Sequence, residues 1–142
     1  MTPTFETLTT RWREPAGELM RFAMVGVIGL LVNMAAVRLY LVAFGDRPFS
    51  AAIAAWPVAV TTTWWFNRQF TFRGHVRAPM LRQWAQFVVV NLSGAAASIS
   101  TYEIMVLSIP LCRHFPEIGV AAGAVAGLIF NYTFSQRYVF RR

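Results

Sequence analysis

Four long apolar runs, bounded by arginine, glycine or proline, leave this chain few ways to fold. They extend from about Phe22 to Phe44, Ala51 to Phe70, Phe87 to Leu111 and Ile118 to Phe134. At ~1.5 Å per residue each matches a hydrocarbon core of roughly 30 Å. Only 13% of the 142 residues are charged and 56% are hydrophobic, whereas a soluble domain carries about a quarter charged residues. Lipid is therefore the expected solvent. The breaks between runs fall at Gly45, Asp46 and Pro48, at Gly74 and Pro79, and between Pro110 and Pro116. The fold expected is an all-α membrane protein of four transmembrane helices.

Charge placement sets an orientation. All 13 basic residues are arginine, and the net charge is +7. Three arginines precede the first run, Arg11, Arg13 and Arg21. Four lie around the loop between the second and third runs, Arg68, Arg73, Arg77 and Arg82. Three close the chain, Arg137, Arg141 and Arg142. The other side holds Arg47 and Arg113, and Arg38 lies inside the first run. Ten against two predicts both termini in the cytoplasm. Trp12, Trp64, Trp65, Trp84 and Tyr138 fall near that interface, where amphipathic rings prefer to sit. Arginines that flank apolar runs argue for topology rather than nucleic-acid binding.

The chain also repeats. At an offset of 65, Phe22, Gly29 and Asn33 align with Phe87, Gly94 and Ser98. At an offset of 68, Ala51, Ala55, Ala59, Thr63 and Asn67 align with Gly119, Gly123, Gly127, Asn131 and Ser135. The positions at the second offset recur every four residues and form one slanting stripe along each helix, suited to close packing in lipid. One domain over 1–142 is expected, as two helical hairpins, about 19–73 and about 84–141, after a cytoplasmic tail over 1–18. Their parallel relation fits a transporter fold without requiring one.

Each half ends in an aromatic and polar box. The first reads Thr63-Trp64-Trp65-Phe66-Asn67-Arg68-Gln69-Phe70-Thr71-Phe72. The second reads Asn131-Tyr132-Thr133-Phe134-Ser135-Gln136-Arg137-Tyr138-Val139-Phe140. With the opening Arg21-Phe22-Ala23-Met24-Val25-Gly26, the chain resembles the GtrA-like family from about Leu19 to Phe140. The second box departs from the family pattern: Ser135 and Gln136 stand where Asn-Arg is expected, and Arg137 brings the charge one residue later. The resemblance implies a role in cell-surface polysaccharide or glycolipid synthesis. The expected activity is a flippase for a polyprenyl-phosphate sugar, such as one on undecaprenyl phosphate, in the bacterial cytoplasmic (inner) membrane. Some relatives look instead like accessory proteins for a membrane glycosyltransferase.

The residues fit that chemistry. Guanidinium groups bind phosphate oxygens in a fork geometry, so Arg68, Arg137 and Arg21 are candidate inner phosphate contacts. Trp64, Trp65 and Tyr138 are candidate stacking partners for a sugar, with Asn67 and Asn131 as polar neighbours. Ordinary interfacial anchoring is the alternative for all of them. Arg38 and Glu103 match each other in the repeat and lie roughly 24 Å up a core of about 30 Å. A snorkelling or paired structural role competes there with an outer phosphate contact and a gate or proton site. Asn33, Asn91, Ser98 and Thr101 are expected to make hydrogen bonds between helices.

Enzyme chemistry is not signalled. Lysine is absent, Cys112 is the single cysteine, and His75 and His114 are assigned to opposite sides of the membrane. No metalloprotease, hydrolase or nucleotide motif occurs, so neither metal nor cofactor is expected. Besides membrane lipids, the partners expected are the sugar lipid, a glycosyltransferase and further copies of the chain. A small multidrug-type exporter using Glu103 is a third reading, which the arginines disfavour.

Overall fold

In the computed structural model, residues 5–45, 47–73, 75 and 78–141 are described, with side chains from Ala16 onward. Arg77, Arg142, Asp46 and Gly74 lie outside the described residues, as do the side chains of Arg11, Trp12 and Arg13. The chain is all-helical among the described residues and divides into two compact units, Met1–Gly74 and His75–Arg142.

The first unit is a hairpin of α1 (Phe5–Phe44) and α2 (Pro48–Phe66), followed by a single π turn, Asn67–Thr71. The second pairs α3 (Met80–Ser108) with α5 (Pro116–Phe134) across the short α4 (Pro110–His114), and ends in a π turn at Ser135–Val139. Helix breaks follow one rule. Arg47, Ile109 and Phe115 each precede a proline and leave the helical region, at φ −131°, −115° and −125°. The proline ring clashes with a helical residue before it. Pro48, Pro110 and Pro116 then open the next helix, where a missing N–H costs nothing. Gly45 ends α1 in the left-handed region at φ 81° and donates to the Leu41 carbonyl at 3.0 Å.

The third apolar run, expected to reach Leu111, does not continue as one helix, because Ile109 turns out before Pro110. Helix α1 starts at Phe5, ahead of the first apolar run, and Glu18 is buried within the unit.

Among the described residues three segments are long and apolar enough to cross a membrane, Ala16–Phe44, Met80–Ser108 and Pro116–Val139. Their outer faces carry large exposed apolar side chains such as Leu39, Val42 and Leu107. The protein is thus a multi-pass membrane protein. Helix α2 has the same 19-residue length as α5. It carries Pro57, three consecutive threonines and three tryptophans, and is not among those three segments.

Packing within each hairpin follows the small-residue stripe. Ala51 and Ala55 are buried on α2, and Gly119, Gly123 and Gly127 on α5. A β-carbon at Gly29 would collide with the Thr63 methyl, and one at Gly94 with the Asn131 side chain. The repeat-equivalent pairs therefore make the same close approach in each unit. Polar residues in the spans mostly satisfy themselves within their own helix. Asn91 donates to Phe87 at 2.9 Å, Ser93 to Val89 at 2.9 Å, Thr101 to Ala97 at 2.8 Å and Thr62 to Val58 at 2.8 Å. This corrects the expectation of bonds between helices for Asn91 and Thr101. A carbonyl one turn back is always within reach, and it spares the hydroxyl an unpaired burial in lipid. Ser98 lies against Gly123 and Gly127, and the Asn33 side-chain oxygen is buried without a partner.

Candidate functional site

Both aromatic and polar boxes fold into π turns. The Phe72 N–H donates to the Asn67 carbonyl at 2.9 Å, and the Phe140 N–H to the Ser135 carbonyl at 2.8 Å. Each bond spans five residues instead of four. Such turns are rare and often mark functional positions, so two at matched places are informative. The widened turn carries the last phenylalanine back onto the start of the hairpin. Phe22 meets Phe72 edge-on at 6.1 Å, and Phe87 meets Phe140 edge-on at 6.1 Å. All four rings are buried.

The two turns are held differently. In the first, the Thr71 hydroxyl donates to the Asn67 side-chain oxygen at 2.8 Å, and both residues are buried. The second has Ser135 and Val139 at those places and cannot form that bond. There the buried Gln83 of α3 donates its amide to the Val139 carbonyl at 3.3 Å.

In the first box Trp64, Asn67 and Arg68 come together. The Arg68 guanidinium lies 5.8 Å from the Trp64 ring centroid, within cation–π range. Trp64 is buried, and its indole N–H has no hydrogen-bond partner. Trp65 tilts against Trp64 at 6.1 Å but faces outward. Arg73 is occupied locally: it donates to the Gln69 carbonyl at 2.7 Å and lies over Phe70 at 5.2 Å. Arg21 is exposed near the same end of α1, one residue before buried Phe22.

In the second box Arg137 lies 6.0 Å over the exposed Tyr138 ring. Asn131 does not join them. It is half-buried beneath Gly94, where Thr63 packs in the first hairpin, and its side-chain oxygen has no partner. Arg38 and Glu103 are exposed on α1 and α3, each toward the far end of its own hairpin from the π turn.

Sequence reasoning passed over Gln83, read Arg82 and Arg141 for topology only, and passed over Gln86. The last three line a cavity of about 100 Å³ together with Tyr138. The repeat held a signal: Gln83 aligns with Glu18, and both are buried. Long polar side chains beside a span usually read as exposed, and this pair was not singled out.

Residues 21–140 match the family described as "GtrA/DPMS, transmembrane domain". A dolichol-phosphate mannosyltransferase of Pyrococcus furiosus is 25% identical over 132 residues, 93% of this chain and 34% of that protein. The chain thus spans about a third of the length of the curated relative it matches. With the family's match running from the arginine that opens the first span to the phenylalanine that closes the second π turn, the chain belongs to the GtrA/DPMS transmembrane-domain family.

Proposed function

We propose that this chain binds a polyprenyl-phosphate-linked sugar and moves it between membrane leaflets. The observation that carries the reading is the repeated π turn. It supplies one arginine beside one aromatic ring in each half, Arg68 with Trp64 and Arg137 with Tyr138. A guanidinium pairs with a phosphodiester in a fork, and a ring face accepts a sugar by stacking. The family, and the name of a relative that works on dolichol phosphate, support this class of lipid.

In this reading α2 spans with the other three helices, and both boxes lie at the cytoplasmic face of a bacterial inner membrane. Arg38 accepts the phosphate at the outer face, and Glu103 acts as a gate. Four helices are few to enclose a sugar headgroup, so the tail stays in the bilayer or copies of the chain associate. The chain itself performs no sugar transfer. The test uses purified protein in liposomes with a labelled polyprenyl-phosphate monosaccharide. Transfer to the opposite leaflet is expected, falling about tenfold or more in Arg68→Ala or Arg137→Ala as a charge-assisted contact is lost. Rates equal to those of empty liposomes, with folded protein, refute it.

A second reading is favoured by one observation: the matched relative is named a mannosyltransferase, and this chain spans only part of its length. Here the chain presents the lipid to a separate membrane glycosyltransferase. Stable co-purification with such an enzyme, without lipid transfer in liposomes, selects this reading.

A further inference from the structure

We infer that the second hairpin holds a head-and-tail site for a prenyl phosphate, with Arg82 and Arg141 on the phosphate and the first isoprene units in the groove between α3 and α5. This rests on the lipid class proposed above and adds its location, at residues other than the repeated boxes.

Two adjoining hollows define the site. The first is the cavity of about 100 Å³ into which Arg82, Gln86, Tyr138 and Arg141 converge. Two guanidiniums, an amide and a phenol offer only donors or neutral partners, a set suited to an anion. Helix α3 opens at Met80 with no side-chain cap and no acid in its first turn, so its positive end adds to the same field. The second hollow is an apolar groove of about 500 Å³. Gln86 and Tyr138 line both, so one runs into the other.

One wall of the groove is a column of stacked aromatic rings. Phe130 stacks on Phe134 at 4.1 Å and 11°, and Phe134 stacks on Tyr138 at 5.6 Å and 25°. Val89, Val90 and Ser93 face it from α3, and the Ser93 hydroxyl is tied to the Val89 carbonyl at 2.9 Å. The α3 side therefore has no hydroxyl donor left over. Ring edges opposite a narrow apolar wall give a slot for one methyl-branched prenyl chain. A phospholipid brings two acyl chains for one phosphate.

The first hairpin does not reproduce the site. Thr62 stands where Phe130 stands, so a third of the aromatic strip is missing, and Gly17 stands where Arg82 stands, with the Arg21 guanidinium 3.7 Å from where its β-carbon would lie. Arg21 takes the place of Gln86, and Arg73, the counterpart of Arg141, is held by Gln69 and Phe70.

The test is binding of radiolabelled farnesyl phosphate to the full chain in phosphatidylcholine nanodiscs. Wild type is expected to bind, and excess phosphatidylglycerol or inorganic phosphate is expected to displace little label. Arg82→Ala and Arg141→Ala should each weaken binding about tenfold. Val89→Trp should fill the groove and weaken farnesyl phosphate binding to a similar degree. Val89 is 62% exposed, so the larger ring is tolerated by the fold, and an unchanged thermal transition in detergent checks this. Wild-type binding that survives all three substitutions overturns this site and leaves the proposed function standing. Equal displacement by phosphatidylglycerol reduces it to an ordinary anionic-lipid contact and overturns it. Failure of wild type to bind farnesyl phosphate removes both this site and the lipid class on which it rests.

Discussion

At the residue scale, Gln83 shows how one side chain compensates for another. The first π turn is closed by its own Asn67 and Thr71. The second lost that pair to Ser135 and Val139 and takes its support from α3 instead. Val139 is buried, so its carbonyl has no water to fall back on. Gln83→Leu is expected to lower stability by about 1–3 kcal/mol, the cost of a buried unsatisfied carbonyl. The thermal transition in detergent measures this. A variant as stable as wild type would mean that the Val139 carbonyl finds another donor. Arg68 and Arg137 were legible as candidates because a charge inside a repeated motif stands out against lipid-facing residues. Arg82, Gln86 and Arg141 were not, because their convergence with Tyr138 depends on the turn that brings the chain end back over α3.

At the scale of helices, the stripe of small residues is the main packing device, and its members differ in what they tolerate. A β-carbon at Gly123 would lie 2.6 Å from the Ser98 carbonyl oxygen, part of the α3 backbone. Backbone cannot rotate aside, so Gly123→Ala should push α5 off α3 and cost roughly 1–3 kcal/mol, as overpacking does. Gly26 faces open space, with nothing within 4 Å of the added carbon. Gly26→Ala should therefore leave the thermal transition unchanged or raise it, since alanine favours helix by about 0.5–1 kcal/mol. Equal effects at the two sites would show that hairpin packing does not set stability. The stripe was readable from four-residue spacing alone. Which members press on backbone, and which only on a movable tip like that of Asn131, was not.

For the whole molecule the open quantity is the number of crossings. The arginine distribution predicts an even number and cytoplasmic termini, while among the described residues three segments meet the length and apolarity for a span. Helix α2 decides between them. At 19 residues it is roughly 28 Å long, near the roughly 30 Å core. Three of its polar side chains are threonines, and Thr62 and Thr63 return their hydroxyls to the helix backbone. We expect it to cross. Cys112 is the single cysteine, so Cys112→Ser provides a clean background for placing new ones. A cysteine at exposed Arg73, beyond α2, should react with an impermeant maleimide only in inside-out vesicles. One at Ser50 should react only from outside. Labelling of both from one face would place α2 outside the bilayer.

The amino-acid order alone determined the solvent, the helical class, the points where helices break and the twofold repeat. These follow from local rules: apolar length against bilayer thickness, proline against the residue before it, and four-residue spacing along one helix. Tertiary structure decided the rest. The boxes read as helix ends, yet each becomes a π turn because Phe72 and Phe140 gain buried edge-on contacts with Phe22 and Phe87, about fifty residues away in sequence. The spans' polar residues turned to their own backbone because that partner is always present. Glu18 and Gln83, ordinary polar residues in the sequence, became buried only once the second helix of each hairpin returned beside them, and Gln83 then supports the second turn.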